Sequence, residues 1–319
     1  MQIGYALSSE EFPPSELVAN AKRAEEAGFE FLGISDHFHP WLDSQGHSPM
    51  VWSVLGAMAV ATQRVPVFTG VTCPLIRTHP AIVAHAAATT AAMMPGRFRL
   101  GLGTGEALNE HIFADRWPAA AERREMLEEA VEVIRLLWEG GSQDHRGRHY
   151  RLENARLYTL PDEPPPIWIA ASGPATAELA GRIGDGLITT SPDAEVVEAF
   201  RKAGGEGKPV VGQMTVCYGE DEAEARRTAH RIWANAGVPG QLSQDLPTPA
   251  HFKQAAERVR EEDVAQTIPC GPNLDGHFES LSEFQKVGID QVYVHQIGPG
   301  QEVFFRIYEK EVLPRFAST

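Results

Sequence analysis

Basic residues are scarce in this chain: 28 Lys and Arg stand against 43 Asp and Glu, a formal net charge of −15. That balance excludes a basic footprint for nucleic acid or for an anionic membrane surface. An anionic ligand would have to be held by local devices such as helix N-termini. Cysteine is also scarce. Cys73, Cys217 and Cys270 are odd in number and lack the spacing of a metal cluster, which points to a reducing compartment without a disulfide framework. No apolar run reaches membrane-spanning length, and the first residues, Gln2-Ile3-Gly4-Tyr5, follow no basic leader. A cytoplasmic protein with no membrane partner is expected. No Gly- or Ser-rich linker divides the chain, so residues 1–319 read as a single domain.

What is present is a repeated rhythm of apolar run followed by amphipathic helix. Strands are expected at Ile3 to Leu7, Phe31 to Ser35, Val65 to Thr72, Phe98 to Leu102, Ile167 to Ala171, Gly186 to Thr190, Val210 to Tyr218 and Gln291 to His295. Helices fill the intervals, including Ser15 to Ala27 ending at Gly28, an Ala-rich run from Pro80 to Met94, and Ala119 to Trp138. Eight such units favour an α/β fold closed into a (β/α)8 TIM barrel over an open doubly wound sheet. Two insertions interrupt it after strands four and seven, at about 139–166 and 237–278. In the first, Tyr150-Arg151-Leu152 and Arg156-Leu157-Tyr158 suggest a small surface hairpin.

A barrel carries its chemistry at the C-terminal ends of its strands, and the polar residues of this chain collect there. Strand one ends in Ser8-Ser9-Glu10, and strand two in Asp36-His37-Phe38-His39-Pro40-Trp41. Strand three ends in Gly70-Val71-Thr72-Cys73, and strand four in Gly103-Thr104-Gly105-Glu106 with Asn109 beyond. Strands five, six and eight end in Ser172-Gly173, Thr189-Thr190-Ser191 and His295-Gln296. Polar loops account for the serines and threonines. Glu10, His37, Trp41 and Glu106 together supply two carboxylates and an imidazole, the parts for general acid and base work.

Two stretches offer backbone N–H groups to an anion: Gly103 to Glu106 leading into Ala107-Leu108-Asn109-Glu110, and Ser172 to Thr176 leading into the next helix. Tight strand–helix packing is the alternative reading of both, and the first lacks the dinucleotide fingerprint. His37 and His39, at alternate positions, invite a metal, but the later strand ends supply no further ligand set, so no metal is expected.

Taken together, Tyr5, Glu10-Glu11-Phe12, Ser35 to Trp41, Gly103-Thr104-Gly105-Glu106-Ala107-Leu108-Asn109-Glu110 and Ala170-Ala171-Ser172-Gly173-Pro174 resemble the luciferase-like oxidoreductases that use the deazaflavin coenzyme F-420. The likeness is greatest to the branches of glucose-6-phosphate and secondary alcohol dehydrogenases. It runs from strand one to about Ser191. The resemblance implies that His37 handles the substrate hydroxyl proton, that Trp41 walls the substrate, that Glu106 is the acid/base residue at the ring and that Glu10 is an accessory carboxylate. It implies cofactor contacts from Asp36, Cys73, Thr104, Gly105 and Asn109, and phosphate contacts from Ser172, Gly173, Ala175 and Thr176. A non-proline cis peptide behind the ring would fall at Gly70-Val71. A homodimer also follows from the resemblance, with loose support from the Ala-rich helix.

The resemblance breaks at the substrate phosphate. The glucose-6-phosphate branch places a lysine shortly after the strand-six Thr-Ser, where this chain has Pro192-Asp193, and a second family lysine is replaced near Gln266. A carboxylate beside a phosphate repels it. Thr190 and Asp193 therefore point to an unphosphorylated sugar or a secondary alcohol as the small-molecule substrate. The implied activity is hydride transfer between a carbinol carbon and F-420. An FMN-dependent monooxygenase on the same barrel and a non-catalytic flavin-binding barrel are the alternatives.

Overall fold

The computed structural model describes residues 1–238 and 240–316. Its strands are β1 (Gln2–Leu7), β2 (Leu32–Ile34), β3 (Val67–Thr69), β4 (Phe98–Leu102), β5 (Gln143–Arg146), β6 (Arg151–Ala155), β7 (Ile167–Ala170), β8 (Gly186–Thr189), β9 (Val210–Val216) and β10 (Gln291–Gln296). All but β5 and β6 form one parallel sheet in the order β1-β10-β9-β8-β7-β4-β3-β2, and β2 pairs back onto β1. This is a closed (β/α)8 barrel. The strands are short and buried almost throughout because both of their faces meet apolar neighbours, side chains within the barrel and helices outside it.

The helix Pro14–Ala27 shows how the outer layer is built. Proline starts it, and Gly28 ends it in the left-handed region (φ 94°), its N–H donating to the Ala24 and Glu25 carbonyls. Leu17, Ala21 and Ala24 fall on one face and are buried against the barrel. Full burial of a leucine side chain contributes about 1.5–3 kcal/mol. Inside the barrel, Phe31, Phe68, Trp168 and Tyr293 pack as one aromatic cluster, with Phe68 and Tyr293 edge to face at 5.0 Å. That plug closes the N-terminal end and leaves the C-terminal end open.

The first insertion is a hairpin, but β5 pairs with β6, so its strands lie earlier in the chain than the expected Arg156-Leu157-Tyr158 arm. The Glu129 carboxylate selects this turn by accepting the backbone N–H groups of Arg148, His149 and Tyr150. The second insertion is not a bare loop. It carries the short helices Leu242–Asp245, Pro249–Ala256 and Glu261–Ala265, and Phe252 and Val238 anchor it against Leu108 and Leu42. No helix among the described residues is long and apolar enough to cross a membrane.

Candidate active site

A cavity of about 720 Å³ opens at the C-terminal ends of the strands and is lined from nearly every strand end. A smaller hollow of about 350 Å³ lies at the opposite end, among Phe31, Arg99 and Trp168. Among the described residues no imidazole lines it, whereas His37 and His295 line the larger one.

Glu10 is the carboxylate paired with His37. It is 2 % exposed, and its Oε2 accepts from Ser8 Oγ at 2.9 Å and Ser35 Oγ at 2.8 Å. Its Oε1 faces His37 Nε2 at 3.4 Å. The other imidazole nitrogen, Nδ1, donates to the His39 carbonyl at 3.2 Å. In the neutral ring that bond puts the proton on Nδ1 and leaves the lone pair on Nε2, the nitrogen beside Glu10 at the cavity. The Trp41 indole meets the imidazole edge-on at 5.0 Å and rests on Phe252 of the second insertion, also at 5.0 Å. His39 takes a structural place: its Nδ1 donates to the Leu108 carbonyl at 2.9 Å, and its ring stacks on His111.

The strand-four loop is tied to this unit. Asn109 Oδ1 accepts from Phe38 N at 2.8 Å and His39 N at 3.2 Å, while its Nδ2 donates to Glu106 Oε2 at 3.4 Å. One amide thus sets both the imidazole loop and the second carboxylate. Gly105 has φ 72°, and a Cβ there would stand 2.5 Å from Cys73 Sγ, so neither the turn nor the packing admits a side chain. The helix that follows is a single turn, Ala107–Glu110, with Glu106 at its N-cap position. A carboxylate at that place is a poor seat for a phosphate. The start of the Pro174–Ile183 helix suits an anion better. Its N-cap, Gly173, has no side-chain cap, and the space where its Cβ would stand is open.

Glu10, His37, Trp41, Gly70, Val71, Thr104, Gly105, Glu106, Ser172, Gly173, Ala175, Thr176 and Thr190 all line the cavity, and the Gly70–Val71 peptide is cis. Asp36, Cys73, Asn109 and Asp193 do not line it. Asp36 is buried behind the wall, its Oδ2 accepting from Thr72 Oγ1 at 2.7 Å and its Oδ1 from Arg77 Nη2 at 3.0 Å. Arg77 also meets Glu110 Oε1 at 3.4 Å. Burial pushes the Glu110 carboxyl up, against the downward pull of Arg77. Burial likewise pushes the Cys73 thiol up. Asp193 caps the helix Ala194–Phe200, accepting from Glu195 N and Val196 N, so its carboxylate is occupied by backbone.

Several lining residues escaped the sequence reading. Arg123, Gln244 and Phe252 come from the α-helix Ala120–Trp138 and the second insertion, and Gln213 and Thr215 from β9. His295 Nε2 meets Glu11 Oε1 at 2.6 Å, a second carboxylate–imidazole pair beside the first.

A barrel whose one cleft is lined by a carboxylate–imidazole pair and by an uncapped helix start has the form of a cofactor-dependent enzyme. The chain belongs to the luciferase-like monooxygenase family, which it matches over residues 1–291. It is 36% identical to the F-420-dependent glucose-6-phosphate dehydrogenase of Microbacterium testaceum, over 99% of this chain and 97% of that protein. It is 38% identical to the F-420-dependent hydroxymycolic acid dehydrogenase of Mycobacterium tuberculosis, over 98% of this chain and 87% of that one. Among solved structures it is similar to an F-420-dependent secondary alcohol dehydrogenase in complex with an F-420–acetone adduct, with a TM-score of 0.91, 31% identity and 99% of each chain covered.

Proposed function

We propose that this protein is an F-420-dependent dehydrogenase that moves a hydride between a carbinol carbon and the deazaflavin ring, working as one barrel domain with two insertions. The observation that carries this reading is the opening of His37, Trp41 and Glu106 into the same cavity as the uncapped helix start at Gly173. When bound, the coenzyme supplies the hydride acceptor and donor. Ser172, Gly173, Ala175 and Thr176 would hold its phosphate; Gly70, Val71, Thr104 and Gly105 would lie along its ring. Asp36, Cys73 and Asn109 support that wall from behind.

The protein's own part is to orient the substrate and to move protons. His37 Nε2 takes the proton of the substrate hydroxyl, and the Glu10 carboxylate stabilises the imidazolium that results. Ser8 and Ser35 keep Glu10 aimed. Trp41 excludes water from one side and positions the carbinol carbon. Glu106, steadied by Asn109, exchanges a proton at the cofactor.

For the substrate, the cavity lining includes Arg123 and Arg124 and, among the described residues, no lysine. The strand-six end offers Thr190, while Asp193 is held as a helix cap. The missing lysine supports an unphosphorylated sugar or a secondary alcohol over glucose 6-phosphate, whereas Arg123 and Arg124 are the cations that a phosphate would use. The setting we infer is a cytoplasmic homodimer, with support from the exposed Ile82 and Met93 on the Ala-rich helix Pro80–Met93; equilibrium sedimentation reports on the dimer.

The test is to titrate the protein with F-420 and FMN side by side, then follow loss of visible F-420 absorbance across sugars, sugar phosphates and secondary alcohols. Tight F-420 binding with turnover of unphosphorylated substrates is expected. Binding of FMN alone would overturn the cofactor, and a clear preference for glucose 6-phosphate would overturn the substrate class.

A further inference from the structure

Two of the three cysteines meet where the second insertion rejoins the barrel. Cys217 follows β9 directly, and Cys270 lies beyond the last short helix of the insertion, Glu261–Ala265. An isolated parallel bridge pairs them: Cys217 N donates to the Pro269 carbonyl at 2.9 Å, and Gly271 N donates to the Cys217 carbonyl at 3.0 Å. Those two bonds bracket Cys270, so the two side chains stand next to each other on one face. Paired strands run about 4.7–4.9 Å apart, within the roughly 4.4–6.8 Å that disulfides span between Cα atoms. Cys217 is buried and Cys270 half-buried, so solvent reaches the second first.

We propose that Cys217 and Cys270 are a reversible oxidative modification site, closing to an intramolecular disulfide with a low-molecular-weight disulfide as oxidant. The Cys270 thiolate attacks one sulfur of the oxidant, breaking its S–S bond and releasing one thiol. Cys217 then attacks the Cys270 sulfur of the mixed disulfide and releases the second thiol. Two protein thiols lose two electrons, the oxidant gains them, and the two protons leave on the released thiols. Cys217 Sγ donates to the Ile297 carbonyl at 3.7 Å and Cys270 Sγ to the Ile268 carbonyl at 3.2 Å. The influence of each thiol on the other, ahead of burial, pushes Cys217 up and Cys270 down, and with the greater exposure of Cys270 this makes it the attacking group. Cys73 takes no part: it is buried beside Gly105 on the far side of the cavity wall.

The bridge fastens the insertion that supplies Gln244 and Phe252 to the strand that supplies Gln213 and Thr215. A covalent link there would hold those lining residues together whatever reaction the site performs.

Incubating the whole protein with oxidised glutathione tests this. One thiol of the three should remain after denaturation, and the mass should fall by about 2 Da. A single linked peptide should contain both residues, amide exchange over 249–265 should slow, and dithiothreitol should reverse every change. Cys217→Ser should stop at a glutathione adduct on Cys270, the intermediate frozen for want of its partner. Three thiols retained in the wild type, a stable glutathione adduct on wild-type Cys270, or a bridge that includes Cys73 would overturn the proposal. Each readout is independent of coenzyme binding.

Discussion

His37 Nε2 stands 3.4 Å from Glu10 Oε1 while its Nδ1 proton is committed to the His39 carbonyl. A neutral imidazole held this way presents a lone pair, and a protonated one gains a carboxylate partner. His37→Ala should lower kcat by about 10²–10⁴, the usual worth of a positioned base, and leave F-420 affinity within a few fold. Glu10→Gln should cost less, since the base remains. Steady-state kinetics with a parallel binding titration separates the two effects, and an unchanged kcat in His37→Ala would remove it from the mechanism.

Arg77 is the only cation bonded to both Asp36 and Glu110 among the described residues, with all three side chains nearly buried. Arg77→Met would leave two carboxylates without it, at a cost of about 3–5 kcal/mol. Arg77→Lys keeps the charge and should recover part of that loss. Urea unfolding of both variants gives the comparison.

His277 is buried with its Nδ1 at 2.8 Å from the Tyr308 hydroxyl, and burial pushes its pKa from 6.5 down to about 4. The unfolded chain binds this proton more readily, so the stability it contributes is present above pH 6.5 and is lost as pH falls toward 4. The full span is worth about 3 kcal/mol. His277→Phe should flatten the fall in urea midpoint across that window; an equally steep fall in the variant would assign it elsewhere.

Asp193→Ala should remove a helix cap, costing about 0.5–2 kcal/mol, and leave kcat/KM nearly unchanged. Thermal melts alongside kinetics decide it. A large loss of activity without loss of stability would put the carboxylate back at the substrate.

Gly105→Ala forces a Cβ into the left-handed region and against Cys73 Sγ. About 1–3 kcal/mol of destabilisation is expected, together with weaker F-420 binding, because the same turn lines the cleft. Calorimetric titration measures the second effect directly.

Strand positions were legible because buried parallel strands announce themselves as apolar runs, and cavity-lining residues such as Glu10, His37 and Glu106 because they stand where such runs stop. Other relations were not. Phe252 sits in a stretch that reads as polar loop, and only packing brings it to Trp41. Glu11 and His295 are 284 residues apart and are joined by barrel closure between β1 and β10. Asp36, Cys73, Asn109 and Asp193 lie at the expected strand ends, but which way a side chain turns from a strand end depends on donors elsewhere: Arg77 and Thr72 for Asp36, and the next helix start for Asp193.

The amide of Asn109 has a consequence for protein engineering. It accepts from two backbone groups of the loop after β2 and donates to the carboxylate of the loop after β4. A graft that imports either loop from a barrel with a different spacing would strand the Phe38 and His39 N–H groups or the Asn109 side-chain carbonyl oxygen that accepts from them. Recombination libraries built from this scaffold should therefore keep residues 36–41 and 103–110 on one cassette, and crossovers placed between them should yield folded but inert chimeras.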